Sequence, residues 1–227
     1  KKTRSKNKLI KKNIKFSIAI DGSSASGKTT GSKIISKKFK FKLLTSGKLY
    51  RYLALEIIKN KNKYNKKFIK NHSNKITLQK LKNRKLNNLQ VTKLSSIIAK
   101  KKYIRNELKK FQIEFIKKNP QVIIEGRDIA SKIMPNADLK IFFRCSLREK
   151  AKRRLKEYKK LNKNIKLEQV EKSLKLRDFS DKNRKESPLL FVKDAVLVDT
   201  TKLTINQMRF KLVKLVKKEL LRKYGSI

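Results

Sequence analysis

The chain has 227 residues, a length that predicts one domain with small insertions. Hydrophobic residues make up 38% of it, enough for a core, but no apolar run is long enough to span a bilayer, which excludes a membrane-spanning protein. The single cysteine, Cys145, rules out an intramolecular disulfide. Together with a fold pattern typical of cytosolic proteins, this predicts a reducing, cytoplasmic location.

The formal net charge of +48 has two explanations. A basic surface is typical of proteins that bind nucleic acid. However, the 52 lysines far outnumber the 13 arginines and are spread along the whole chain, which favours a biased genome composition. We therefore expect weak non-specific binding to polyanions and no specific nucleic-acid partner. Where lysine is so favoured, each arginine is a candidate for the bidentate phosphate contact that lysine cannot make.

The chain opens with a basic segment and a buried strand. Residues 1–13 lack an apolar periodic face and predict a flexible tail, without the apolar core of a secretory signal. Residues 14–20 are apolar and predict the first strand. Asp21 follows, either to hold a metal-bound water or to cap the loop.

A phosphate-binding loop comes directly after this strand. It has the pattern G-x-x-x-x-G-K-T between a strand and a helix, the context that makes this motif credible. Its residues predict a nucleotide site: Gly22, Ser23, Ser24, Ala25, Ser26, Gly27, Lys28, Thr29 and Thr30. Backbone N–H groups would surround a phosphate, Lys28 would reach the β- and γ-phosphates, and the Thr29 hydroxyl would ligate Mg²⁺. The chain is thus expected to bind a nucleoside triphosphate such as ATP.

Further strands alternate with helical patterns. Apolar runs at 41–44, 122–125, 139–143 and 195–199 predict four more strands, and residues 205–215 carry a closing amphipathic helix. The basic stretch 59–118 interrupts this alternation and is predicted to be a mostly helical insert, with a core formed by 14–58 and 119–227. His72 lies in this insert and is expected in a solvated loop. The pattern predicts an α/β fold with a five-stranded parallel sheet, helices on both faces, and a ligand crevice at the carboxyl ends of the strands.

Arginines and acids recur where those strands end. Arg127 and Asp128 follow the third predicted strand, and Arg153 and Arg154 lie near the start of a helix. Arg177, Asp181 and Arg184 have i, i+4, i+7 spacing and so are predicted to share one helical face. A solvated charged face is the alternative interpretation of that triplet. Phosphoryl transfer needs such a cluster to position and neutralise the moving group.

Taken together, these motifs resemble the bacterial cytidylate kinases, members of the nucleoside monophosphate kinase family. The matching segments are 18–29, Leu43-Leu-Thr-Ser-Gly-Lys-Leu-Tyr-Arg-Tyr-Leu-Ala-Leu55, Ile124-Glu-Gly-Arg-Asp-Ile129, 135–142, Arg177-Asp-Phe-Ser-Asp-Lys-Asn-Arg184, 187–189 and 198–201. They occur in family order. The resemblance implies a P-loop fold with an insert that binds the nucleoside monophosphate at 59–118 and a short lid at 153–169. It also implies transfer of the ATP γ-phosphoryl group to CMP or dCMP, with Mg²⁺, by a monomer.

The resemblance also implies roles for individual positions. Ser46, Arg105, Asp128 and Arg184 would read the cytosine, with Tyr50 beside them, and Ser96, Arg177 and Asp181 would hold the sugar. Arg51 and Arg127 would bind the acceptor phosphate. Arg153 and Arg154 would contact the transferring phosphoryl group together with Lys28 and Arg127.

Two departures and two alternatives accompany this resemblance. Thr45 stands where the family usually has aspartate, and the insert lacks the strand-rich part of the long bacterial form. Another small-molecule P-loop kinase, for shikimate, dephospho-coenzyme A or a different nucleotide, shares the loop. A basic nucleic-acid-associated P-loop ATPase shares the loop and the charge. Substrate selectivity would distinguish the first alternative from a cytidylate kinase. ATP hydrolysis stimulated by nucleic acid would distinguish the second.

Overall fold

A computed structural model describes residues 14–159 and 165–225. The predicted tail, 1–13, and residues 160–164 within the predicted lid lie outside the described residues. Five strands form one parallel sheet in the order β2-β3-β1-β4-β5: β1 Phe16–Gly22, β2 Lys42–Thr45, β3 Gln121–Gly126, β4 Leu139–Arg144 and β5 Val196–Asp199. The predicted five-stranded parallel sheet is confirmed.

Eight α-helices connect or follow the strands in the described residues. Their bounds are α1 Lys28–Phe39, α2 Ser46–Lys59, α3 Lys66–Asn74, α4 Leu89–Ile98, α5 Lys102–Lys118, α6 Leu147–Lys159, α7 Leu167–Asn183 and α8 Ile205–Tyr224. Short 3₁₀ turns precede α4, and a π-type turn, Ile129–Ile133, follows β3. None of the helices in 14–159 and 165–225 is long and apolar enough to cross a bilayer.

Helices cover both faces of the sheet because side chains alternate along each strand. On β3, Ile123 packs into one apolar cluster with α1 and α8, whereas Ile124 packs into another with α2, α4 and α5. Both residues are completely buried. The two-sided burial explains why the strands read as continuous apolar runs rather than alternating ones.

The insert 59–118 shares the cluster on the Ile124 face. Leu86, Ile98 and Leu108 from the insert are buried there together with Leu53 of α2. The whole insert is described, and it contains no strand, as the sequence predicted. One expectation is wrong: His72 is helical and half-buried, with its ring stacked 3.9 Å from that of Phe68.

A hairpin of α6 and α7 stands apart from both clusters. Its apolar side chains form a small cluster of their own around Ala151, Val170 and Leu174. Both helices extend into the predicted lid, 153–169, since α6 ends at Lys159 and α7 begins at Leu167. This hairpin carries several predicted site residues.

Candidate active site

Two glycines shape the phosphate-binding loop between β1 and α1. Gly27 precedes α1 with φ +87°, a left-handed conformation that strains other residues. At Gly22 a Cβ atom would lie 2.5 Å from the carbonyl oxygen of Phe143, so a side chain there would force the two strands apart. The glycine pattern in the sequence therefore has a steric cause at both positions.

Lys28 folds back over this loop. Its Nζ donates to the carbonyl oxygen of Ser23 over 3.0 Å, and the Ser26 hydroxyl donates to the same oxygen at 3.0 Å. Burial, with a contribution from the nearby Arg127 charge, lowers the pKa of Lys28 well below its usual range. An anion bound in the loop would reverse this shift by pairing with the ammonium group.

A carboxylate lies beside the loop at the end of β3. The hydroxyls of Thr29 and Thr45 both donate to Glu125, over 2.9 and 2.8 Å, and Glu125 is 1% exposed. Hydroxyl and carboxylate oxygens are ligands that Mg²⁺ accepts together with substrate phosphates. By contrast, Asp21 accepts hydrogen bonds from the backbone N–H groups of Ile129 and Ala130, so it caps the turn after β3.

One cavity of about 610 Å³ connects the loop with the insert and the hairpin. It lies at the carboxyl edge of the sheet, where the fold class places ligands. Gly22 and Ser23 are the predicted site residues that do not line it. The others all do: Ser24, Ala25, Ser26, Gly27, Lys28, Thr29, Thr30, Ser46, Tyr50, Arg51, Ser96, Arg105, Arg127, Asp128, Arg153, Arg154, Arg177, Asp181 and Arg184.

The end of the cavity next to the insert holds a buried ion pair. Arg105 on α5 donates to the Asp128 carboxylate, and the two side chains are 8% and 6% exposed. The Arg105 guanidinium also lies over the Tyr50 ring, 5.5 Å from its centroid. Ser46 completes this end and accepts a 2.8 Å hydrogen bond from Gln112. A donor fork, a carboxylate and a hydroxyl thus face one small volume.

Arginines surround Asp181 in the middle of the cavity. Arg127 Nε donates to Asp181 Oδ2 over 2.8 Å, and an Arg184 NH group lies 3.5 Å from Oδ1. Burial opposes ionisation of Asp181, but the positive charges of Arg127, Arg184 and Arg177 outweigh this effect and lower the pKa of Asp181. Burial lowers the pKa of Arg177 to about 10, helped by the Arg127 charge. Within the described part of the chain, Arg177 Nε is buried without a hydrogen-bond partner.

The predicted shared helical face of Arg177, Asp181 and Arg184 needs one correction. Helix α7 ends at Asn183, and Arg184 follows it with extended backbone angles, φ −67° and ψ 139°. Its guanidinium is held instead by the Ser187 carbonyl oxygen, which accepts from Nε over 2.7 Å. The three side chains do meet in the cavity, but through the bend after the helix.

Two arginines of α6, Arg153 and Arg154, contact the phosphate-binding loop directly or through Thr200. Arg153 donates to the hydroxyl and the carbonyl oxygen of Thr200 over 3.1 and 2.7 Å, and the Thr200 hydroxyl donates to the Ser26 carbonyl over 2.9 Å. Arg154 donates to Ser24 Oγ over 3.3 Å. Arg51 reaches across from α2 to Asn87 of the insert, over 3.0 Å.

Sequence reasoning missed several side chains of this site. Gln112 contacts Ser46 and belongs to no motif, whereas Glu125 and Thr200 lie in the segments 124–129 and 198–201 that carry the resemblance but were assigned no role. Ser96 lies at the cavity wall, although its hydroxyl donates to the Lys93 carbonyl within its own helix, over 2.7 Å. For Glu125 a signal existed, because an acid ending a buried strand beside a P-loop is a candidate cation ligand.

A P-loop at the edge of a parallel sheet, facing a set of arginines across a nucleotide-sized cavity, defines this protein as a P-loop phosphotransferase. Comparison with known proteins narrows the class. The family model described as cytidylate kinase matches residues 18–218. The chain therefore belongs to the cytidylate kinase family.

Curated relatives extend over most of the chain. The cytidylate kinase of Phytoplasma mali is 37% identical over 214 residues, which cover 85% of this chain and 92% of that protein. The cytidylate kinase of Rickettsia africae is 39% identical over 193 residues, which cover 83% of this chain and 86% of that protein. That of Mycoplasmoides gallisepticum is 37% identical over 215 residues, which cover 89% of this chain and 94% of that protein. Among solved structures, an uncharacterized Eubacterium ventriosum protein has a TM-score of 0.54 at 13% identity, covering 89% of this chain and 98% of its own. That likeness shows the fold alone.

Proposed function

We propose that this protein transfers the γ-phosphoryl group of ATP to CMP or dCMP, giving ADP and CDP or dCDP. The observation that carries the proposal is the buried Arg105–Asp128 pair at the insert end of the cavity. A carboxylate accepts from the exocyclic amine of cytosine, and a guanidinium donates to its ring N3 and O2. Uracil presents an acceptor in place of that amine. Relatives named cytidylate kinase support the same substrate class.

The cavity suits two nucleotides that meet at their phosphates. The donor triphosphate would lie in the loop at residues 22–30, and the acceptor base would lie against Ser46, Arg105 and Asp128 with its sugar near Ser96, Arg177 and Asp181. The two phosphate chains would then meet between Lys28 and Arg127. Phosphoryl transfer depends on this alignment and on neutralising charge, and it requires no covalent intermediate with the protein.

The positive side chains each have a proposed task in that alignment. Lys28 holds the transferring group from the donor side, and Arg51 and Arg127 hold the acceptor phosphate. Arg153 and Arg154 cover the transferring group from α6, which excludes water and limits wasteful hydrolysis. Lid movement over 153–169 and a separate binding role for the insert 59–118 belong to this proposal.

Mg²⁺ fits the oxygen ligands beside the loop. The Thr29 hydroxyl would ligate it, with Glu125 beside it, because both oxygens already lie within 2.9 Å of each other. When bound, the ion would supply positive charge to the donor phosphates. The monomeric state and cytoplasmic location remain predictions.

The test is ADP release with ATP and Mg²⁺ across CMP, dCMP, UMP, AMP, GMP and no acceptor. Turnover with CMP and dCMP well above the others is expected. Equal rates with CMP and UMP would make the protein a broader pyrimidine nucleotide kinase. ADP release without acceptor that rises with added RNA would instead favour the nucleic-acid-associated ATPase and contradict the proposal.

A further inference from the structure

The α6–α7 hairpin is attached to the P-loop through polar contacts. Its apolar side chains pack among themselves around Ala151, Val170 and Leu174 rather than with the two clusters that cover the sheet. Yet the hairpin carries Arg153 and Arg177, which both line the cavity. Whatever orients the hairpin on the loop therefore also sets where these arginines point.

A buried ion pair lies at this junction. Lys150 of α6 and Asp178 of α7 are joined by an ion pair, with side chains 7% and 14% exposed. Each partner also contacts the loop: Lys150 Nζ donates to Ser23 Oγ, and the backbone N–H of Ser24 donates to Asp178 Oδ1, both over 3.4 Å. Three chain segments therefore meet at one pair of charges.

We propose that Lys150 and Asp178 are positioning residues, which align the arginines of α6 and α7 with the phosphate loop. Neither side chain lines the cavity, so neither is placed to touch a nucleotide. Two long hydrogen bonds contribute modest stability, but they are directional and fix the angle of the hairpin.

The inference rests on the proposed function, since turnover is one of its readouts. Lys150→Met alone would leave Asp178 as an unpaired buried charge and could fail through misfolding. The double variant Lys150→Met/Asp178→Leu removes both charges, and replacement of a buried pair by apolar groups is often neutral for stability. It therefore separates positioning from folding.

For the double variant we expect a melting temperature close to that of the wild type but at least a tenfold lower kcat. The KM for ATP should change less than threefold, because the pair contacts only Ser23 and Ser24, near one end of the 22–30 loop. Misplacement of transition-state contacts by about 1 Å is sufficient for a loss of that size. Lys150→Arg keeps the charge and the reach to Asp178 and should restore kcat to within threefold.

The matched control is Lys140→Met. Lys140 is also a buried lysine paired with an aspartate, Asp194. This lysine lies near the amino end of β4, whereas the candidate site lies at the carboxyl ends of the strands. Its kcat should stay within twofold of the wild type. A double variant that folds and keeps wild-type kcat would overturn the proposal, as would an equal loss of kcat in the control.

Amide hydrogen exchange at Ser24 gives a readout that needs no turnover. In the nucleotide-free protein, loss of Asp178 should make that amide exchange at least tenfold faster, whereas Lys140→Met should leave it unchanged. Unchanged exchange in the double variant would contradict the proposal. A wild-type protein without kinase activity would contradict the proposed function. The exchange experiment would still show whether Lys150 and Asp178 hold the phosphate-binding loop.

Discussion

Arg127 and Asp181 face each other across the centre of the cavity, with Nε donating to Oδ2 over 2.8 Å. One follows β3 and the other lies on α7, 54 positions further along the chain. The pair holds the guanidinium at the position proposed for the acceptor phosphate before any ligand arrives. Little ordering is then left for binding to accomplish.

Arg127→Ala should lower kcat by at least about 100-fold, because it removes a charge proposed to act on the phosphates during transfer. Folding should change little, since Asp181 keeps Arg184 as a second partner. Steady-state kinetics and thermal unfolding check both parts. Arg144→Ala, which breaks an exposed pair with Asp199, is the control. Near-normal turnover in the Arg127 variant would refute the proposed role.

Asp128→Asn should narrow the preference for CMP over UMP. The substitution replaces an acceptor-only carboxylate by an amide that can also donate to the uracil 4-oxygen. We expect kcat/KM for CMP to fall about 100-fold or more, with UMP affected less. Glu107→Gln, on the same helix as Arg105 but in an exposed pair with Lys110, serves as the control. An unchanged CMP:UMP ratio would exclude Asp128 as a base-reading residue.

Because of Asp21, the free energy of unfolding should fall as the pH rises from about 4 to 6. Burial raises the pKa of Asp21 from 3.8 to about 6, so in that interval the folded protein binds a proton that the unfolded chain releases. A shift of this size corresponds to about 3 kcal/mol, present below pH 4 and lost above pH 6. Urea unfolding at several pH values, compared between the wild type and Asp21→Asn, isolates this contribution. Parallel curves would contradict it.

Thr200→Val should uncouple Arg153 from the phosphate loop. The valine side chain has the same shape but lacks the hydroxyl that donates to the Ser26 carbonyl oxygen and accepts from Arg153. A buried carbonyl oxygen that loses its donor costs about 1–3 kcal/mol of unfolding free energy. We expect that loss in denaturant unfolding together with a lower kcat. Thr200→Ser retains the hydroxyl and should behave like the wild type in both assays.

Gly31→Ala and Gly47→Ala should change stability in opposite directions. At Gly31 a Cβ atom would lie 2.6 Å from Cζ of Phe143 in the core, and such overpacking costs about 1–3 kcal/mol. At Gly47, in the first turn of α2, nothing lies within 4 Å of the added carbon. Alanine there should stabilise the helix by up to about 1 kcal/mol. Thermal unfolding of both variants measures the difference, and two shifts of the same sign would be inconsistent with this packing.

Patterns that are local in the chain predicted the fold well. The central strands β1 and β3 are buried on both faces, so they appear as short apolar runs, and the alternation of apolar runs with helical patterns indicated a parallel sheet. The bend at Arg184 was not predicted, because i, i+4, i+7 spacing continues smoothly past the true helix end at Asn183. Beyond Asn183 the bend is held by the Ser187 carbonyl, which accepts from Arg184, and by the Leu189 N–H, which donates to the Asp181 carbonyl.

The sequence by itself determined the phosphate loop, the residue types needed around it and the family to which the chain belongs. These features lie in contiguous segments, where spacing alone carries the chemistry. The tertiary structure decided which arginine meets which acid, that Gln112 holds Ser46 from 66 positions away, and that Lys150 and Asp178 contact the loop. Such pairings depend on distances created when the sheet brings separate segments to one edge, and no local pattern in the chain encodes them.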